Sequence, residues 1–518
     1  MSTAAENCQT LPAILQRQAE LTPDATALFW RNEAISYLRL QTRVHALANA
    51  LTTTGAPGDR VAVLSFNSPQ FVELIYAVPA AGRILVPLNA RLAPAEWVDQ
   101  LARTNCKQVF AEPQLLARLK NQDGFSAETT TIALDQTYER LLASVHSAQL
   151  PHIEASDTAW ILFTSGSTGK PKGALLTHAG FMAGLRSAAI ARPVQPTDRY
   201  LYPFPLFHVA AHNVLLQHLY GAAVVLTPAF EAATTLSACR ELAVTTMSLA
   251  PTMIAMLLEH PDFRAEDLAG VRTIGYGASA MPMQLLQQLL RETSVGLCQS
   301  YGMTELCGSV AFLTVEDHRE ALHQPGLLKS VGRPLPTAEI TLVDDHGKPC
   351  AQGEQGEIVV RASQCMAGYW QDAEATRDSL RADGLHTGDI GRFDEQGYLY
   401  IVDRKKDMVL SGGENIASRE VEEVVRGHPA VTDCAVIGLP DARWGELVCA
   451  VLVLQEEVSD DALATHCRSL LAGYKTPRQW LRLDALPLNA AGKVDKPLLR
   501  RRFAHKGAQT GQPGSSAG

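Results

Sequence analysis

Short apolar runs that alternate with helical segments are the feature that most constrains this fold. Residues 61–64 (VAVL) form a strand candidate, a helix follows from Pro69, and residues 84–86 (ILV) resume a strand. The same alternation returns between residues 224 and 298. Strands that alternate with helices predict largely parallel sheets covered by helices, whose ligands lie beyond the carboxyl ends of the strands.

Length and a change of pattern predict two domains and a tail. The chain has 518 residues, too long for one compact core. From about residue 330, short strand-like pieces separated by Gly and Asp indicate a small antiparallel or barrel-like unit. We therefore expect an α/β fold: a large domain of parallel β/α sheets plus this unit (1–403), then a small α+β domain (404–504). We also expect a solvated connector at 403–407 and a disordered tail at 505–518.

Composition argues against several classes of protein. A net charge of −9 disfavours a nucleic-acid partner, which needs a basic surface. The 10 cysteines are scattered, without CxxC pairs or zinc-ligand spacing, so we expect no disulfides and a reducing environment. No apolar run approaches the roughly 20 residues of a membrane helix, and residues 1–10 lack the pattern of a signal peptide. These observations predict a cytoplasmic protein without a transmembrane segment.

A polar, glycine-rich loop follows a buried-strand signal. Residues 161–163 (ILF) run into residues 164–173 (TSGSTGKPKG). Glycines let backbone amides turn toward an anion, hydroxyls donate to phosphate oxygens, and lysines supply positive charge. The spacing differs from a Walker loop, because Thr164 stands where that motif needs Gly and Pro171 where it needs Ser or Thr. A flexible surface loop is the alternative, but the position directly after a strand favours phosphate binding.

Further motifs follow this loop along the chain. In order they are PLFH (205–208), YGASA (276–280), QSYGMTE (299–305), TGD (387–389), DRKKD (403–407), SGGEN (411–415) and AGK (491–493). Together with the loop they resemble the adenylate-forming superfamily of acyl- and aryl-CoA synthetases, peptide-synthetase adenylation domains and luciferases, over about residues 10–500. The chain is closest in character to fatty-acyl- or aryl-CoA ligases. The resemblance implies an acid–thiol ligase that uses ATP, Mg²⁺ and CoA and passes through an acyl adenylate with release of pyrophosphate.

The resemblance also implies which residues bind ATP. Tyr301 would stack on adenine, Asp389 would accept both ribose hydroxyls from a tight turn, and Arg404 would contact the ribose or phosphates. Taken alone, Asp389 reads as a turn former and Arg404 as a connector charge. The expected ATP-binding residues are Thr164, Ser165, Gly166, Ser167, Thr168, Gly169, Lys170, Lys172, Gly277, Ala278, Ser279, Gln299, Tyr301, Gly302, Asp389 and Arg404.

The reaction brings a carboxylate to the α-phosphorus of ATP, so catalysis depends on positioning and on stabilising negative charge. The resemblance makes Lys493 the lysine that bridges the carboxylate and the α-phosphate. It makes Thr304 a contact to the α-phosphate and Glu305 the Mg²⁺ ligand, since hard oxygen ligands suit Mg²⁺. Taken alone, Lys493 reads as a solvated lysine and Glu305 as a surface carboxylate.

A second half-reaction is implied by the same resemblance. The family's small domain rotates between the two steps, which makes it mobile, and Lys406 matches the hinge. After the rotation Lys493 would leave the site, and Gly412 and Gly413 would line the pantetheine tunnel. Glycines suit a thin ligand that passes against backbone, although a simple turn is the alternative.

Three more residues are expected near the thiol. His208 would lie where the acyl and thiol sites meet and act as a gate, with a buried structural histidine as the alternative. Arg91 and Trp444 match positions at which some aryl-CoA ligases contact the CoA nucleotide.

The acid is predicted only by class. Its pocket is expected near Phe181, 208–212, 247–250, Ser279 and 303–310, which are mostly small, apolar or weakly polar. No Arg or Lys is evident there to pair with a second carboxylate. We therefore expect a hydrophobic acid: medium-chain, long-chain, alicyclic or aryl. Acetate is disfavoured because no bulky Trp closes the pocket.

Three other functions stay open at the sequence level. The first is an enzyme that loads an acyl group onto a separate carrier protein. The second is an enzyme that stops at the acyl adenylate or oxidises it, and the third is an inactive homologue that acts as a binding module. The Gly412–Gly413 loop favours a thiol acceptor. The inactive homologue is disfavoured because four site residues are retained: Glu305, Asp389, Arg404 and Lys493. A homodimer is an expectation supplied by the relatives.

Overall fold

The computed structural model describes residues 8–31, 33–144, 149–164, 171–277, 281–441, 443–489 and 492–507. Its strands, in chain order, are β1 Thr26–Trp30, β2 Glu33–Ser36, β3 Arg60–Leu64, β4 Ile84–Pro87, β5 Gln108–Ala111, β6 Thr130–Ala133, β7 Thr158–Thr164, β8 Lys172–Thr177, β9 Arg199–Tyr202, β10 Ala223–Leu226, β11 Thr246–Ser248, β12 Thr273–Gly277, β13 Gly296–Met303, β14 Gly308–Leu313, β15 Arg333–Pro334, β16 Ala338–Val343, β17 Gln355–Ala362, β18 Leu380–Arg381, β19 Gly384–Phe393, β20 Leu399–Arg404, β21 Val409–Ser411, β22 Glu414–Ile416, β23 Val431–Asp441, β24 Gly445–Leu454 and β25 Gln479–Arg482.

Helices cover these sheets, and several begin at the residues that favour a helix start. Ser68 accepts a hydrogen bond from the Phe71 amide and precedes Pro69, so one helix begins there. The α-helices are α1 Leu11–Leu21, α2 Tyr37–Thr54, α3 Pro69–Ala80, α4 Pro94–Thr104, α5 Pro113–Lys120, α6 Gln136–Ala143, α7 His178–Ala191, α8 His212–Leu219, α9 Ala232–Glu241, α10 Pro251–Leu258, α11 Met283–Glu292, α12 Val315–Glu320, α13 Ala373–Ser379, α14 Ser418–Arg426, α15 Asp460–Leu470 and α16 Lys496–Gly507.

Two large sheets form the first part of the chain. The six-stranded sheet has the order β6-β5-β3-β4-β7-β8, and all neighbours pair in parallel except β7 and β8. The nine-stranded sheet has the order β15-β14-β13-β12-β11-β9-β10-β1-β2, with a parallel centre and antiparallel strands at both edges. The predicted parallel α/β architecture is confirmed.

Helix α7 lies between the two large sheets. Its Phe181 ring packs edge-on against Trp160 of β7 in the six-stranded sheet, with centroids 4.8 Å apart. Farther along the helix, Gly184 lies against the Cys307 carbonyl, directly before β14 of the nine-stranded sheet. The apolar residues of both sheets and this helix form one continuous core. The end of α7 is thereby fixed over the nine-stranded sheet, which matters for the acid pocket.

Two five-stranded sheets follow. The first has the order β16-β17-β19-β18, with β20 paired to β19, and is antiparallel as predicted. The second has the order β22-β21-β24-β23, with β25 paired to β24, and helices α14, α15 and α16 accompany it. This second sheet has its own apolar clusters and forms the smaller α+β part of the chain.

The predicted solvated connector at 403–407 is only partly solvated. Asp403 is buried, at 2% exposure, and its Oδ2 accepts hydrogen bonds from the Ser418 amide and hydroxyl. Arg500 of α16 forms an ion pair with Asp407 at 3.0 Å. A charged sequence run is usually solvated, but these carboxylates face the helices of the smaller part of the chain.

Helix α16 extends to Gly507, three residues into the segment predicted to be disordered, and residues 508–518 lie outside the described residues. All 10 cysteines are free thiols. Among the helices that the structure describes, none is long and apolar enough to cross a bilayer.

Candidate active site

The predicted phosphate loop joins two antiparallel strands. Thr164 ends β7 and Lys172 begins β8, and the two residues pair across the hairpin. Strand β8 therefore follows the loop directly. Six residues expected in the loop (Ser165, Gly166, Ser167, Thr168, Gly169 and Lys170) lie outside the described residues, as do Ala278 and Ser279.

Glu305 is a buried carboxylate beside this hairpin. It lies in the 3-10 turn Thr304–Leu306 and is 5% exposed, so it is not a surface carboxylate. The Tyr369 hydroxyl donates to Glu305 Oε1 at 2.8 Å. Lys172 Nζ lies 5.2 Å from the centre of the Tyr369 ring. Tyr369 therefore connects the base of the phosphate loop with Glu305, a role that the sequence did not indicate.

Asp389 is held by two partners. Its Oδ2 accepts a hydrogen bond from the Tyr301 hydroxyl at 2.6 Å, and its Oδ1 lies 2.6 Å from Arg404 Nε. The expected tight turn is wrong: Asp389 lies within β19 and pairs with Arg404 of β20. The preceding Gly388 does have a left-handed φ of 71°, so the strand is locally irregular. Burial and the Asp389 charge raise the pKa of Tyr301 well above its usual range.

The remaining nucleotide candidates lie at the carboxyl ends of β12 and β13. Gly277 and Ser300 pair there, and the Tyr276 hydroxyl donates to Gln299 Oε1 at 3.3 Å. Gly302 is exposed, and Thr304 follows in the turn that carries Glu305. These strand ends are where a parallel sheet binds its ligands.

Lys493 lies on a tight turn of the smaller domain. Its amide donates to Asn489 Oδ1 at 3.1 Å and its carbonyl accepts from the Asn489 amide at 2.7 Å. Lys493 is exposed, yet the protein around the ammonium, together with the charge of Arg404, lowers its pKa. Asp389 also acts on Lys493 electrostatically. The smaller domain thus presents Lys493 to the nucleotide candidates of the larger one.

His208 is a half-buried side chain of the larger domain. Burial, helped by the charges of Arg91 and Lys493, lowers the pKa of His208 to about 4. The imidazole is therefore neutral at pH 7. The sequence-predicted Arg91, His208 and Lys493 are thus close enough to interact electrostatically.

The hinge and thiol candidates lie on exposed turns. Lys406 is exposed in the turn between β20 and β21. Gly412 has a left-handed φ of 63°, and a Cβ there would lie 2.9 Å from Trp444 Cε3. Arg443 and Arg478 lie over the Trp444 ring, 4.9 and 4.3 Å from its centre. Gly413 also has a positive φ, of 86°, with open space beside it.

Comparison with known proteins follows the same division of the chain. Residues 15–370 match the family model of the AMP-binding enzyme, and residues 420–493 match the AMP-binding enzyme C-terminal domain. The chain belongs to the AMP-binding enzyme family. This membership confirms the recognised superfamily and the expected class, an AMP-forming ligase.

Three relatives within this family cover nearly the whole chain. A feruloyl-CoA synthase from Amycolatopsis sp is 37% identical over 94% of this chain and 98% of its own length. The long-chain-fatty-acid–CoA ligase FadD13 of Mycobacterium tuberculosis is 34% identical over 95% of this chain and 98% of its own. The solved O-succinylbenzoate coenzyme A synthetase of Bacillus subtilis, in complex with ATP and magnesium ion, is 32% identical, with a TM-score of 0.84 over 94% of this chain and 98% of that one.

The donor set of this AMP-binding enzyme fits Mg²⁺. Glu305 Oε2 takes no hydrogen bond from the residues that the structure describes, whereas Oε1 is held by Tyr369. No group of three or more His, Cys, Asp or Glu side chains in the described ranges is arranged so that it could hold a metal ion by itself. One carboxylate, with phosphate oxygens and water as the other ligands, is the usual protein environment of Mg²⁺.

The expected acid pocket of this family member contains an arginine that the sequence did not place there. Arg192 Nη1 donates to Ser248 Oγ at 3.1 Å, and Nη2 donates to the Met247 carbonyl at 3.3 Å. The expectation that no Arg or Lys lies there is therefore wrong. Arg192 is 55 or more positions away in sequence and reaches the pocket because α7 ends over the sheet. Phe181, Met247 and Val310, which the sequence places near the pocket, are fully buried apolar side chains.

Proposed function

We propose that this AMP-binding enzyme is an acid–CoA ligase. It joins a carboxylic acid to ATP as an acyl adenylate, releases pyrophosphate, and then transfers the acyl group to CoA. The observation that carries the proposal is the position of Lys493. Its charge interacts electrostatically with His208 on one hand and with Asp389 and Arg404 on the other. A cation from the smaller domain thereby faces the nucleotide candidates of the larger domain, which is the arrangement that adenylation needs.

In the first step, an oxygen of the carboxylate attacks the α-phosphorus and the bond to the β-phosphate bridging oxygen breaks. Lys493 attracts both anions and stabilises the charge on the phosphorus oxygens. Asp389 accepts the ribose hydroxyls, and its orientation is fixed by Tyr301 and Arg404. Glu305 would hold Mg²⁺, which supplies charge neutralisation for the phosphates when it is bound.

In the second step, the CoA sulfur attacks the acyl carbon, AMP leaves, and the thiol proton passes to solvent. We propose that the smaller domain rotates about Lys406, so that Lys493 withdraws and Gly412 and Gly413 approach the site. His208 is neutral at pH 7 and adds no charge to the path of the thiol. Trp444, flanked by Arg443 and Arg478, offers a stacking surface and positive charge for the CoA nucleotide.

We propose a domain division at 403/404, with the larger domain binding ATP and the acid and the smaller one carrying Lys493. The apolar side chains of the pocket favour an acid with a hydrophobic body. The names of the relatives favour CoA over a carrier protein as acceptor. A cytoplasmic location and a homodimer stay predictions.

The test measures pyrophosphate and AMP from Mg²⁺-ATP across a panel of carboxylic acids, with and without CoA. We expect one acid class to release pyrophosphate with sustained turnover only when CoA is present. Turnover that is independent of CoA, or restored only by a phosphopantetheine carrier protein, would contradict the ligase. Asp389→Asn should weaken ATP binding in the same assay, whereas Asp344→Asn, in an exposed turn, should not.

A further inference from the structure

Arg192 places a guanidinium on the face of the nine-stranded sheet. Besides its bonds to Ser248 and Met247, it lies 5.9 Å from the centre of the Tyr200 ring. The Tyr200 hydroxyl donates to Ser248 Oγ at 2.9 Å. One cation and two hydroxyl groups therefore meet at a single point of this face.

Gly275 makes room for the cation. It pairs with Ser248 across β11 and β12, and an added Cβ at Gly275 would overlap the guanidinium of Arg192. Gly277 lies two residues farther along the same strand and on the same face. It is the last residue of the strand, at the end where the nucleotide candidates lie. Two residues of a strand span about 7 Å, so the guanidinium lies about one small-molecule length inward from the adenylation site.

The charge of Arg192 has no protein counter-ion in the described ranges: no Asp or Glu oxygen there lies within 4.0 Å of it. Two of its five N–H donors are used by Ser248 and Met247, and the side chain is half-buried. His212, whose ring faces the space beside Gly308, lies within reach of the same charge: burial lowers the pKa of His212 to about 4, and Arg192 acts in the same direction. A half-buried guanidinium without a carboxylate partner favours an anion from outside the protein.

We propose that Arg192 binds a second carboxylate at the far end of the acid, so that the substrate is a dicarboxylic acid with an apolar body. This rests on the proposed function, since the first carboxylate is the one that is activated. The distal carboxylate accepts from the free guanidinium donors, with Ser248 and Tyr200 beside it. A neutral acid of the same shape leaves the cation unpaired and binds more weakly.

The first test uses the wild-type enzyme alone. The rate constant kcat/KM for CoA-dependent AMP formation is measured for aryl and alkyl dicarboxylic acids of increasing length, each beside its half amide. We expect the best diacid to exceed its half amide by at least about 100-fold. Half amides or simple monocarboxylic acids that equal the diacids would overturn the proposal while leaving the ligase intact. No turnover with any acid would instead contradict the ligase itself.

Variants then separate binding from structural support. Arg192→Met should reduce the diacid-to-half-amide ratio to near one while turnover of the half amide persists, and Arg192→Lys should retain part of the preference. Gly275→Ala, which displaces the guanidinium, should lower the same ratio without removing the charge. An equal loss with both acids, or an unchanged ratio, shows that Arg192 only ties α7 to the sheet, and this overturns the proposal.

Discussion

The two sides of the active site are built differently. On the side of the larger domain, Glu305 and Asp389 are 5% and 4% exposed and hydrogen-bond to tyrosine hydroxyls that fix their carboxylates. On the side of the smaller domain, Lys493 and Gly412 lie on exposed turns, held mainly through backbone contacts of that domain. Fixed groups suit the nucleotide, which in the proposed mechanism stays bound through both steps, whereas groups on turns suit the contacts that the same mechanism exchanges between steps.

This difference gives each side its own mutational signature. Changes on the larger domain should affect ATP binding, while changes on the smaller domain should each remove one half-reaction and spare the other. The predictions below use that contrast.

The largest effect is expected for Lys493→Ala. Loss of the ammonium that bridges the two anions should slow acyl-adenylate formation by about 1,000-fold, since removal of one preorganised charge from a transition state has effects of this size. Pyrophosphate release under single-turnover conditions measures it. Lys348→Ala, an exposed lysine in a turn of the larger domain, is the matched control and should behave as wild type.

A smaller effect, of the opposite selectivity, is expected for Gly412→Ala. The new Cβ meets Trp444 and the residue must keep a left-handed φ, so thioester formation should slow by roughly 10- to 100-fold with adenylation unchanged. Gly347→Ala imposes the same backbone strain, at a φ of 76°, on a remote turn with open space. If both variants lose thioester formation equally, strain rather than the tunnel position is the cause.

Acid should destabilise the larger domain selectively. Burial lowers the pKa of five of its histidines, His178, His208, His212, His218 and His318, from 6.5 to about 4. Between these pH values only the unfolded chain takes up the protons, so stability falls as the pH falls from about 6.5 toward 4. At pH 5, each histidine lowers the free energy of unfolding by at most about 2 kcal/mol relative to pH 7.

Chemical denaturation of the enzyme at pH 7 and pH 5 measures this loss. His218→Gln removes one titrating group and should flatten the pH dependence, although it also removes the contacts to Tyr76 and Ala27. His152→Gln, whose imidazole is exposed, should leave the slope as in the wild type. An equal slope in all three proteins contradicts the assignment.

The smallest effect is expected for Tyr301→Phe. The ring remains available for the predicted stacking on adenine, but the hydrogen bond to Asp389 is lost, and the KM for ATP should rise about tenfold. Tyr398→Phe removes a similar bond, to Asp317 at 2.8 Å, away from the nucleotide candidates and serves as control. A change in kcat for thioester formation, with ATP binding intact, would contradict the assignment of Tyr301 to nucleotide binding.

Much of the fold could be predicted because it is local. The strand at 60–64, the helix at 69–80 and the strand at 84–87 follow from apolar runs, Ser68 and Pro69, all within neighbouring positions. The antiparallel edges of the nine-stranded sheet were not predicted, because hairpins there resemble any other short apolar run. The burial of Asp403 was not predicted either, because its partner Ser418 is 15 positions away and no local sequence pattern links the two residues.

The missed site residues are those that arrive from a distance. Tyr369 reaches Glu305 across 64 positions, and Arg192 reaches Ser248 across 56. Neither lies in a recognisable motif. The packing of α7 brings Arg192 to the site, and a backbone bridge to Ala174 of β8 brings Tyr369 there. The nucleotide motifs could be predicted since each is a contiguous segment, whereas the acid pocket is assembled from separated elements.

The most direct measurement of the central claim follows both half-reactions in Lys493→Ala and Gly412→Ala side by side. Adenylation is read as pyrophosphate release, and thioester formation is read from a supplied acyl adenylate and CoA. The account predicts a crossed result: Lys493→Ala is slowed strongly in the first reaction and performs the second, while Gly412→Ala performs the first and is slowed, less strongly, in the second. Loss of both reactions in either variant would contradict an exchange of contacts between the two steps.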